Sequence, residues 1–397
     1  MRILVVAACP LPWPRGTPIR IHRMAEALLQ RGHEIHMATY PLGHADTPTP
    51  YQTHRVGWKN MRLRSDPGPS LKKLFVLDPL LTRRIRRLLD EMSFDVIHAH
   101  HYEGLIAALL ARRSGNRVPI VYDAHTLLGS ELPHYRLPVP EKTAAWLGRY
   151  LDSTLPRRAD HVIAVTERMR EWLITEGGVP AARTSLISNG VEYEHFAVPA
   201  VAENNSQATG NDVAPLRIVF SGNLAEYQGI DLLLSAFQRV HAEVSHARLI
   251  LVTDSDCTDL MYEVGKLGLT DYVSTIQADY ASLPIRLAAA NVLVNPRPQC
   301  EGIPQKLLNY MAAGRPIVSF SSSAALLEHD RTALLVADED IDGFAQAILR
   351  ILREPQLGQR LSRAASEQVE AKYGWQNVAQ KVEDAYAQVI GNAARAP

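Results

Sequence analysis

The chain has 397 residues, too many for one ordinary hydrophobic core and suited to two domains of roughly 180 to 200 residues. Hydrophobic residues make up 46% and charged residues 21%, with a formal net charge of zero, which argues against a disordered or fibrous protein. The three cysteines, Cys9, Cys257 and Cys300, are far apart and lack metal-ligand spacing. We therefore expect neither a disulfide framework nor a structural zinc site, and a cytoplasmic location.

Short β-branched runs alternate with longer amphipathic stretches through the first half of the chain. The predicted strands there are residues 3–7, 34–39, 96–99, 120–122 and 161–165. Helical patterns such as 19–30 and 104–113 lie between them. This order predicts βαβ units in a parallel sheet that is covered on both faces.

A second series of the same kind follows a polar, aperiodic stretch at residues 197–215. Its predicted strands are residues 217–220, 248–252, 273–276, 292–294 and 317–319, and residues 341–390 are predicted to be helical. The chain thus divides into four parts. They are an N-terminal domain at 1–195, a linker at 196–215, a C-terminal domain at 216–372 and a terminal helix at 373–397 that returns to the N-terminal domain.

The strongest chemical signal lies in residues 301–318. A predicted helix opens there at Pro304, where the missing N–H of proline is harmless. Gly302 allows the backbone to approach a ligand closely, and the helix N-terminus offers free amides to an anion. Arg297 and Lys306 add positive charge. We predict that a diphosphate binds here.

This segment resembles the donor-binding motif of the retaining glycosyltransferases of family 4 (glycosyltransferase group 1), in which two glutamates lie eight positions apart. Glu301 matches the first glutamate, which meets the donor sugar, and Asn309 stands in place of the second, which meets the ribose. The resemblance implies an α/β fold of the GT-B class, with two Rossmann-like domains whose parallel sheets face each other across a cleft. It also implies that Glu301 is catalytic.

The opening of the second domain, residues 220–231, is similar to the same family. Many members carry Arg and Lys where Asn223 and Gln228 stand, and these cations bind the diphosphate. Arg297 and Lys306 would then supply the positive charge from other positions in the sequence. The predicted donor-binding residues are Gly16, Gly222, Asn223, Gln228, Arg297, Gly302, Ile303, Lys306, Leu307 and Asn309.

Histidines supply the main polar signal of the first domain. His125 follows a predicted strand, and the resemblance implies that it contacts the donor sugar as a second catalytic residue. His98, His100 and His101 have the composition of a metal cluster. His98 and His100 alternate along the end of a strand and no carboxylate pattern accompanies them, so we expect these histidines to line the cleft without a metal.

The resemblance implies transfer of a hexosyl group from a nucleotide diphosphate sugar, with retention of configuration and without a metal or other cofactor. The expected acceptor is a glycan or a lipid-linked molecule of cell-envelope or exopolysaccharide biosynthesis, and no nucleic acid is an expected partner. Two alternatives remain. One is a nucleotide-sugar epimerase of similar fold, and the other is a catalytically degenerate GT-B protein that acts as a scaffold or binding subunit.

Positive charge is concentrated in the first half of the chain. Residues 1–195 hold 26 Lys and Arg against 19 Asp and Glu, a net of +7, and the remainder holds 16 against 23, a net of −7. Residues 62–87 interleave eight basic residues with apolar ones. This pattern predicts peripheral binding to the anionic inner face of a membrane. A core helix with a basic solvated side would give the same pattern.

Overall fold

The computed structural model describes residues 1–12, 16–41, 48–57, 73–112, 118–134, 139–198, 214–277, 279–300 and 303–395. They form two compact units, Met1–Asn189 with Trp375–Pro397, and Gly190–Gly374. The predicted domain boundary at 195 lies later than the division after Asn189. The reason is that Val191 pairs with Gly374, donates its N–H to Tyr373 O at 2.8 Å and packs in the core of the second unit.

The first unit is built on a seven-stranded parallel sheet. Its strands are β1 (Arg2–Ala7), β2 (Glu34–Thr39), β3 (Gln52–Arg55), β4 (Val96–His100), β5 (Ile120–Ala124), β6 (His161–Ala164) and β7 (Thr184–Leu186). Their order is β3-β2-β1-β4-β5-β6-β7, so the connections run outwards in both directions from β1 and β4. The central strands are buried along almost their whole length, as a sheet covered on both faces requires.

Helices cover both faces of this sheet. They are α1 (Gly16–Gln30), α2 (Asp78–Glu91), α3 (His101–Ala111), α4 (Leu128–Glu131), α5 (Glu141–Thr154) and α6 (Glu167–Thr175). A π-helical turn, Lys73–Leu77, precedes α2, and 3-10 turns span Leu132–His134, Pro156–Arg158 and Ala181–Arg183. Helices α2 and α3 pack on one face, and α1 packs on the other.

Of the basic and apolar segment at residues 62–87, the structure describes residues 73–87, which include most of helix α2. The side chains of Leu81, Ile85 and Leu88 are at most 1% exposed and belong to the core of the first unit. Arg83 and Arg87 point to solvent. Helix α2 is therefore a core helix with a basic outer side, which is the alternative that the sequence left open, and peripheral membrane binding stays a prediction.

The second unit has a six-stranded parallel sheet. Its strands are β8 (Leu216–Ser221), β9 (Ala247–Val252), β10 (Val273–Ile276), β11 (Val292–Asn295), β12 (Ile317–Phe320) and β13 (Leu334–Val336), in the order β10-β9-β8-β11-β12-β13. Its helices are α7 (Tyr193–Phe196), α8 (Ile230–Glu243), α9 (Thr258–Lys266), α10 (Leu283–Ala288), α11 (Gln305–Ala312), α12 (Ile341–Arg353) and α13 (Pro355–Tyr373). The 3-10 turns are Glu226–Gln228 and Ser321–Ser323.

The last helix, α14 (Trp375–Arg395), completes the first unit. Val378, Val382 and Val389 are buried in the same core as the inner side of α1. The Tyr386 hydroxyl forms a hydrogen bond of 2.7 Å with His98 Nδ1. The first unit is therefore built from two separate stretches of sequence.

All ten predicted strands are confirmed. The three that the sequence did not predict, β3, β7 and β13, have three or four residues each and lie at sheet edges. Such short segments do not repeat a pattern often enough to be recognised. Within the described ranges, every helix is too short or too polar to cross a lipid bilayer.

Candidate functional site

Two glycines shape the loop between β8 and α8 in the second unit. Gly229 has a φ of 69°, and a Cβ there would lie 2.2 Å from the carbonyl oxygen of Pro296. Gly222 has a φ of 145°, and its Cβ would lie 3.4 Å from Lys306 Nζ. The two glycines therefore let the loop after β8 lie close to Pro296, which follows β11, and to Lys306. This is the edge of the sheet at which open α/β sheets bind ligands.

Lys306, in the first turn of α11, reaches into this loop. Its Nζ donates to Gln228 Oε1 at 2.6 Å and lies 4.1 Å from the centre of the Phe220 ring. Gln228 Nε2 in turn donates to Asn223 Oδ1 at 3.3 Å. The lysine therefore contacts Gln228 directly and Asn223 through Gln228, the two positions at which many family members carry cations.

Arg297 reaches the same loop from the end of β11. Its guanidinium lies 4.7 Å from the centre of the Tyr227 ring, and its Nε donates to Gln299 O at 2.7 Å. The Tyr227 hydroxyl accepts a hydrogen bond of 2.9 Å from Asn223 Nδ2. One chain of contacts thus runs from Lys306 through the two amides and the tyrosine to Arg297. We call these five residues the cation chain.

The partners of both cations are neutral. Among the described residues, no carboxylate forms an ion pair with Lys306 or Arg297, whose partners are an amide, a backbone carbonyl and aromatic rings. Burial, helped by the nearby charge of Arg297, lowers the pKa of Lys306 to about 7. An anion bound at this place would reverse that effect, because it would stabilise the ammonium form.

Helix α11 is fixed beside β8 by one buried hydrogen bond, from Ser221 N to the Tyr310 hydroxyl at 2.7 Å. Leu307 is fully buried in the core, and Asn309 is 8% exposed. Ile303 is half-buried before the helix. The first N–H groups of a helix have no acceptor within that helix. Leu307 N already donates to Pro304 O at 3.0 Å, so the amides of Gln305 and Lys306 are those that a ligand could use.

Two of the predicted residues, Glu301 and Gly302, lie outside the described residues, and their roles stay predictions. Gly16 is the first residue of α1. The Asp254–Asp256 stretch, whose spacing also occurs in metal sites, forms a local turn in which Asp256 Oδ1 accepts from Thr258 N and Oγ1 at 2.9 and 2.6 Å. Asp256 thus has a structural role at the start of α9.

A buried ion pair lies at the carboxyl ends of the strands in the first unit. Arg20 of α1 contacts both oxygens of Asp123 at 3.1 to 3.3 Å, and the two side chains are 3% and 0% exposed. Arg20 also donates to the carbonyls of Ile187 and Ser188 at 2.9 and 2.7 Å and to Asn189 Oδ1 at 3.1 Å. This arginine therefore joins α1, β5 and the turn after β7.

The histidines surround this ion pair. His100 Nδ1 and His125 Nε2 share a hydrogen bond of 3.1 Å, and the His101 ring lies 4.7 Å from that of His125. Burial lowers the pKa of His125 and His100 well below the ordinary value, and it lowers the pKa of His101 to about 4. His125 is therefore neutral at pH 7 and can donate or accept a hydrogen bond without adding charge.

The ligand atoms of His98, His100 and Asp123 lie within 4.8 Å of one another, a spacing that a metal ion could bridge. Both Asp123 oxygens, however, already accept from Arg20, whose positive charge would repel a cation. His98 Nδ1 is bound to Tyr386. This donor set fits a network of imidazoles around an ion pair and does not fit a cation.

Sequence reasoning missed several members of these networks. Arg20 and Asp123 are 103 residues apart, and neither belongs to a recognisable motif. His101 begins α3 with a φ of 60°, which is unfavourable for a residue other than glycine. The sequence analysis included Tyr227 and Gly229 only within the segment at 220–231 and gave neither a role of its own. A glycine directly before a helix could have predicted the left-handed turn at Gly229.

Two parallel-stranded α/β units, each with a polar cluster at the carboxyl ends of its strands, are the architecture of the GT-B class of glycosyltransferases. The model of Glycosyltransferase Family 4 matches residues 14–195, and that of Glycosyl transferases group 1 matches residues 215–354. The chain belongs to glycosyltransferase family 4, group 1, as its motifs predicted.

Known proteins agree with this assignment. The chain is 26% identical over 395 residues to the phosphatidyl-myo-inositol mannosyltransferase of Mycolicibacterium smegmatis, covering 98% of this chain and 95% of that one. Its fold is similar to sucrose-phosphate synthase from Thermosynechococcus elongatus, with a TM-score of 0.77, 22% identity, and coverage of 98% and 99%. It is also similar to Anabaena HepE in complex with UDP, with a TM-score of 0.75, 18% identity, and coverage of 98% and 100%.

Proposed function

We propose that this glycosyltransferase moves a hexosyl group from a nucleotide diphosphate sugar to a glycan or lipid-linked acceptor of cell-envelope or exopolysaccharide biosynthesis. The cation chain is the observation that carries the proposal. Its two positive charges lie beside a glycine-shaped loop and the N-terminus of α11, which is the combination that a diphosphate requires.

In this proposal Lys306 and Arg297 neutralise the charge that develops on the departing nucleotide diphosphate. Charge-assisted hydrogen bonds aimed at a leaving group lower the barrier most when the donors are already fixed in place. Gln228 fixes Lys306, and Tyr227 fixes Arg297. These two cations do the work that a metal ion does in other transferases, so the reaction proceeds without one.

The transfer retains the configuration of the sugar, as in the family. Glu301 orients the donor sugar, and Asn309 bonds to the ribose through its amide. His125, neutral because of burial, offers a hydrogen bond to the sugar and leaves the charge balance unchanged. The relative from Mycolicibacterium smegmatis is named for a phosphatidyl-myo-inositol acceptor. A lipid-linked acceptor here would place the protein at the inner face of a membrane.

A donor screen followed by one substitution tests the proposal. A true donor at about 100 times its dissociation constant should add about 2.7 kcal/mol to the unfolding free energy. With that donor and an acceptor extract, Glu301→Gln should slow release of the nucleotide diphosphate about tenfold or more, which is about 1.4 kcal/mol of barrier.

Glu367→Gln is the matched control, because Glu367 is an exposed glutamate on α13. Equal rates in the two variants would remove Glu301 from the site. Conversion of the donor sugar without any acceptor would favour an epimerase. Failure of every nucleotide sugar to bind would favour a scaffold.

A further inference from the structure

Five side chains of the first unit connect the terminal helix α14 to His125. Tyr386 of α14 shares a hydrogen bond with His98, and the His98 ring lies 4.3 Å from the ring of His100. His100 in turn shares a hydrogen bond with His125, and Asp123 lies beside His98 and His100. We call these five residues the histidine chain. It ends at the residue of the first unit to which the proposed function gives a contact with the donor sugar.

The hydrogen bonds of the histidine chain each have one donor and one acceptor. A neutral imidazole carries a single N–H, so a hydrogen bond at one ring nitrogen fixes the role of the other. All three histidines are neutral at pH 7, because burial lowers the pKa of His98 to about 3 and the pKa of His100 and His125 well below the ordinary value. The Tyr386 hydroxyl keeps its proton, because burial raises its pKa. The neighbouring charges therefore decide which atom donates.

The negative charge of Asp123 sets the direction of the hydrogen bond between His100 and His125. Burial raises the pKa of Asp123, but the charge of Arg20 and its contacts with both oxygens oppose that rise and hold the carboxylate ionised. His100 Nδ1 lies 3.5 Å from Asp123 Oδ2 and 3.1 Å from His125 Nε2. A lone pair on His100 Nδ1 would face the carboxylate, whereas a proton there is attracted to it. His100 Nδ1 is therefore the donor, and His125 Nε2 is the acceptor.

The same charge sets the direction of the hydrogen bond at the α14 end of the histidine chain. His98 Nε2 is buried, has no hydrogen-bond partner among the described residues, and lies 3.7 Å from Asp123 Oδ2. A proton on this nitrogen is attracted to the carboxylate, and a lone pair would be repelled. The Tyr386 hydroxyl therefore donates to His98 Nδ1 at 2.7 Å. In this arrangement every N–H and O–H of the histidine chain faces an acceptor or a negative charge.

His125 has its second nitrogen available for a ligand. Its side chain is half-buried, and within the described ranges its Nδ1 has no hydrogen-bond partner. We propose that the histidine chain holds His125 as the Nδ1–H tautomer, so that it donates a hydrogen bond to an oxygen of the donor sugar. His100, Asp123 and Tyr386 act through this imidazole and are positioning residues. The proposal rests on the proposed function and deepens it, because it requires a sugar atom that accepts a hydrogen bond.

NMR of the free enzyme tests the tautomer directly. In the full chain with isotope-labelled imidazole nitrogens, a protonated nitrogen and an unprotonated nitrogen of a neutral ring have well-separated signals. His125→Asn identifies the signals that belong to His125. The wild type at pH 7 should show a protonated Nδ1 and an unprotonated Nε2 in that ring. A protonated Nε2 would overturn the proposal.

Two substitutions of His100 separate its positioning role from a structural one. His100→Leu removes the donor, whereas His100→Asn places an amide N–H close to the position of Nδ1. His100→Leu should give His125 a mixture of tautomers and lower kcat/KM about tenfold, and His100→Asn should recover most of both. In an enzyme that already carries His125→Ala, His100→Leu should cause no further loss of kcat/KM. Fully additive losses would contradict the positioning role.

Tyr386→Phe has a matched control in Tyr51→Phe. Both tyrosines are buried in the same core. Each hydroxyl shares a hydrogen bond of 2.7 Å with a histidine Nδ1, that of His98 or that of His22. The two substitutions should therefore lower the melting temperature by similar amounts. Only Tyr386→Phe should change the tautomer signals of His98 and lower kcat/KM, by about threefold, and equal kcat/KM in the two variants would overturn the role of Tyr386.

The tautomer is measured without a donor, so this proposal and the proposed function can fail separately. A protonated Nε2 of His125 in a wild type that binds a nucleotide sugar overturns the histidine chain alone. Failure of every nucleotide sugar to bind, with the Nδ1–H tautomer observed, overturns the proposed function and supports the arrangement of the chain. Unchanged kcat/KM in His125→Ala removes the sugar contact and the proposal with it.

Discussion

Both units gather polar side chains at the carboxyl ends of their strands, but they balance charge in opposite ways. In the first unit, the positive charge of Arg20 is matched by Asp123, and the surrounding histidines are neutral. In the second unit, Lys306 and Arg297 are held by amides, a carbonyl and aromatic rings. Only the second cluster has positive charge left for a ligand.

Whether a buried charge has an opposite charge beside it distinguishes a structural network from a binding site better than the types of residue present. A buried ion pair satisfies its own charges and ties together the elements that carry it. Cations held by neutral partners are fixed in place with no opposite charge to balance them, and a bound anion would favour the protonated form of Lys306. The Arg20–Asp123 pair should therefore govern stability, and the two cations of the second cluster should govern donor affinity. The following variants test that division.

Breaking the Arg20–Asp123 pair should have the largest effect. Arg20→Met leaves Asp123 buried without its partner and should lower the unfolding free energy of the first unit by about 3 to 5 kcal/mol, measured by urea denaturation. Adding Asp123→Leu should recover much of that loss. Arg170→Met breaks an exposed pair with Glu167 and should cost less than about 1 kcal/mol. Equal losses from Arg20→Met and Arg170→Met would contradict the assignment.

Removing the charge of Lys306 should weaken donor binding with little effect on stability. Lys306→Gln should raise the dissociation constant about 10- to 100-fold, which corresponds to about 1.5 to 3 kcal/mol for a lost charge-assisted hydrogen bond. Calorimetric titration with the nucleotide sugar measures this change. Lys266→Gln, an exposed site in the same unit, is the control.

The exchange variant Lys306→Gln, Gln228→Lys sharpens that test. The two side chains are 2.6 Å apart, so the exchange returns the ammonium group to nearly the same place. Most of the lost affinity should return. If it does not, the relocated lysine does not replace the cation that the family usually carries at residue 228.

Donor affinity should also depend on pH through the same lysine. The pKa of Lys306 is about 7 without a ligand, and a bound diphosphate raises it, so the donor binds the protonated form more tightly. Affinity should be constant below about pH 7. It should then fall by up to about tenfold per pH unit as the pH rises, until the pKa of the complex is reached. Titration at pH 8 in buffers of different ionisation enthalpy should show proton uptake, and its absence would contradict the role of Lys306.

The smallest effect is expected at Asn309. This side chain is 8% exposed and carries no charge, so Asn309→Ala should raise the Michaelis constant for the donor by only about fivefold, or about 1 kcal/mol, with little change in turnover. A large loss of turnover with an unchanged Michaelis constant would place Asn309 outside the ribose contact.

The sequence predicted the fold well because the βαβ pattern is local, and each buried strand and covering helix repeats it. It also predicted Lys306 and Arg297 as the source of positive charge. It could not predict that Gln228 and Tyr227 hold them, because the Lys306–Gln228 contact joins residues 78 positions apart. For residues 62–87 the pattern was ambiguous in principle. Core helices and membrane-surface helices share the same periodicity, and only burial distinguishes them.

The return of α14 to the first unit has a consequence for synthesis on the ribosome. Residues 1–189 emerge first, yet their core lacks Val378, Val382 and Tyr386 until almost the whole chain has been made. At translation rates of about 5 to 20 residues per second, that core stays open for roughly 10 to 40 s. The second unit, continuous in sequence, is complete before that interval ends. The unit that is begun first is thus the unit that is finished last, and during that time the apolar side of α1 is uncovered.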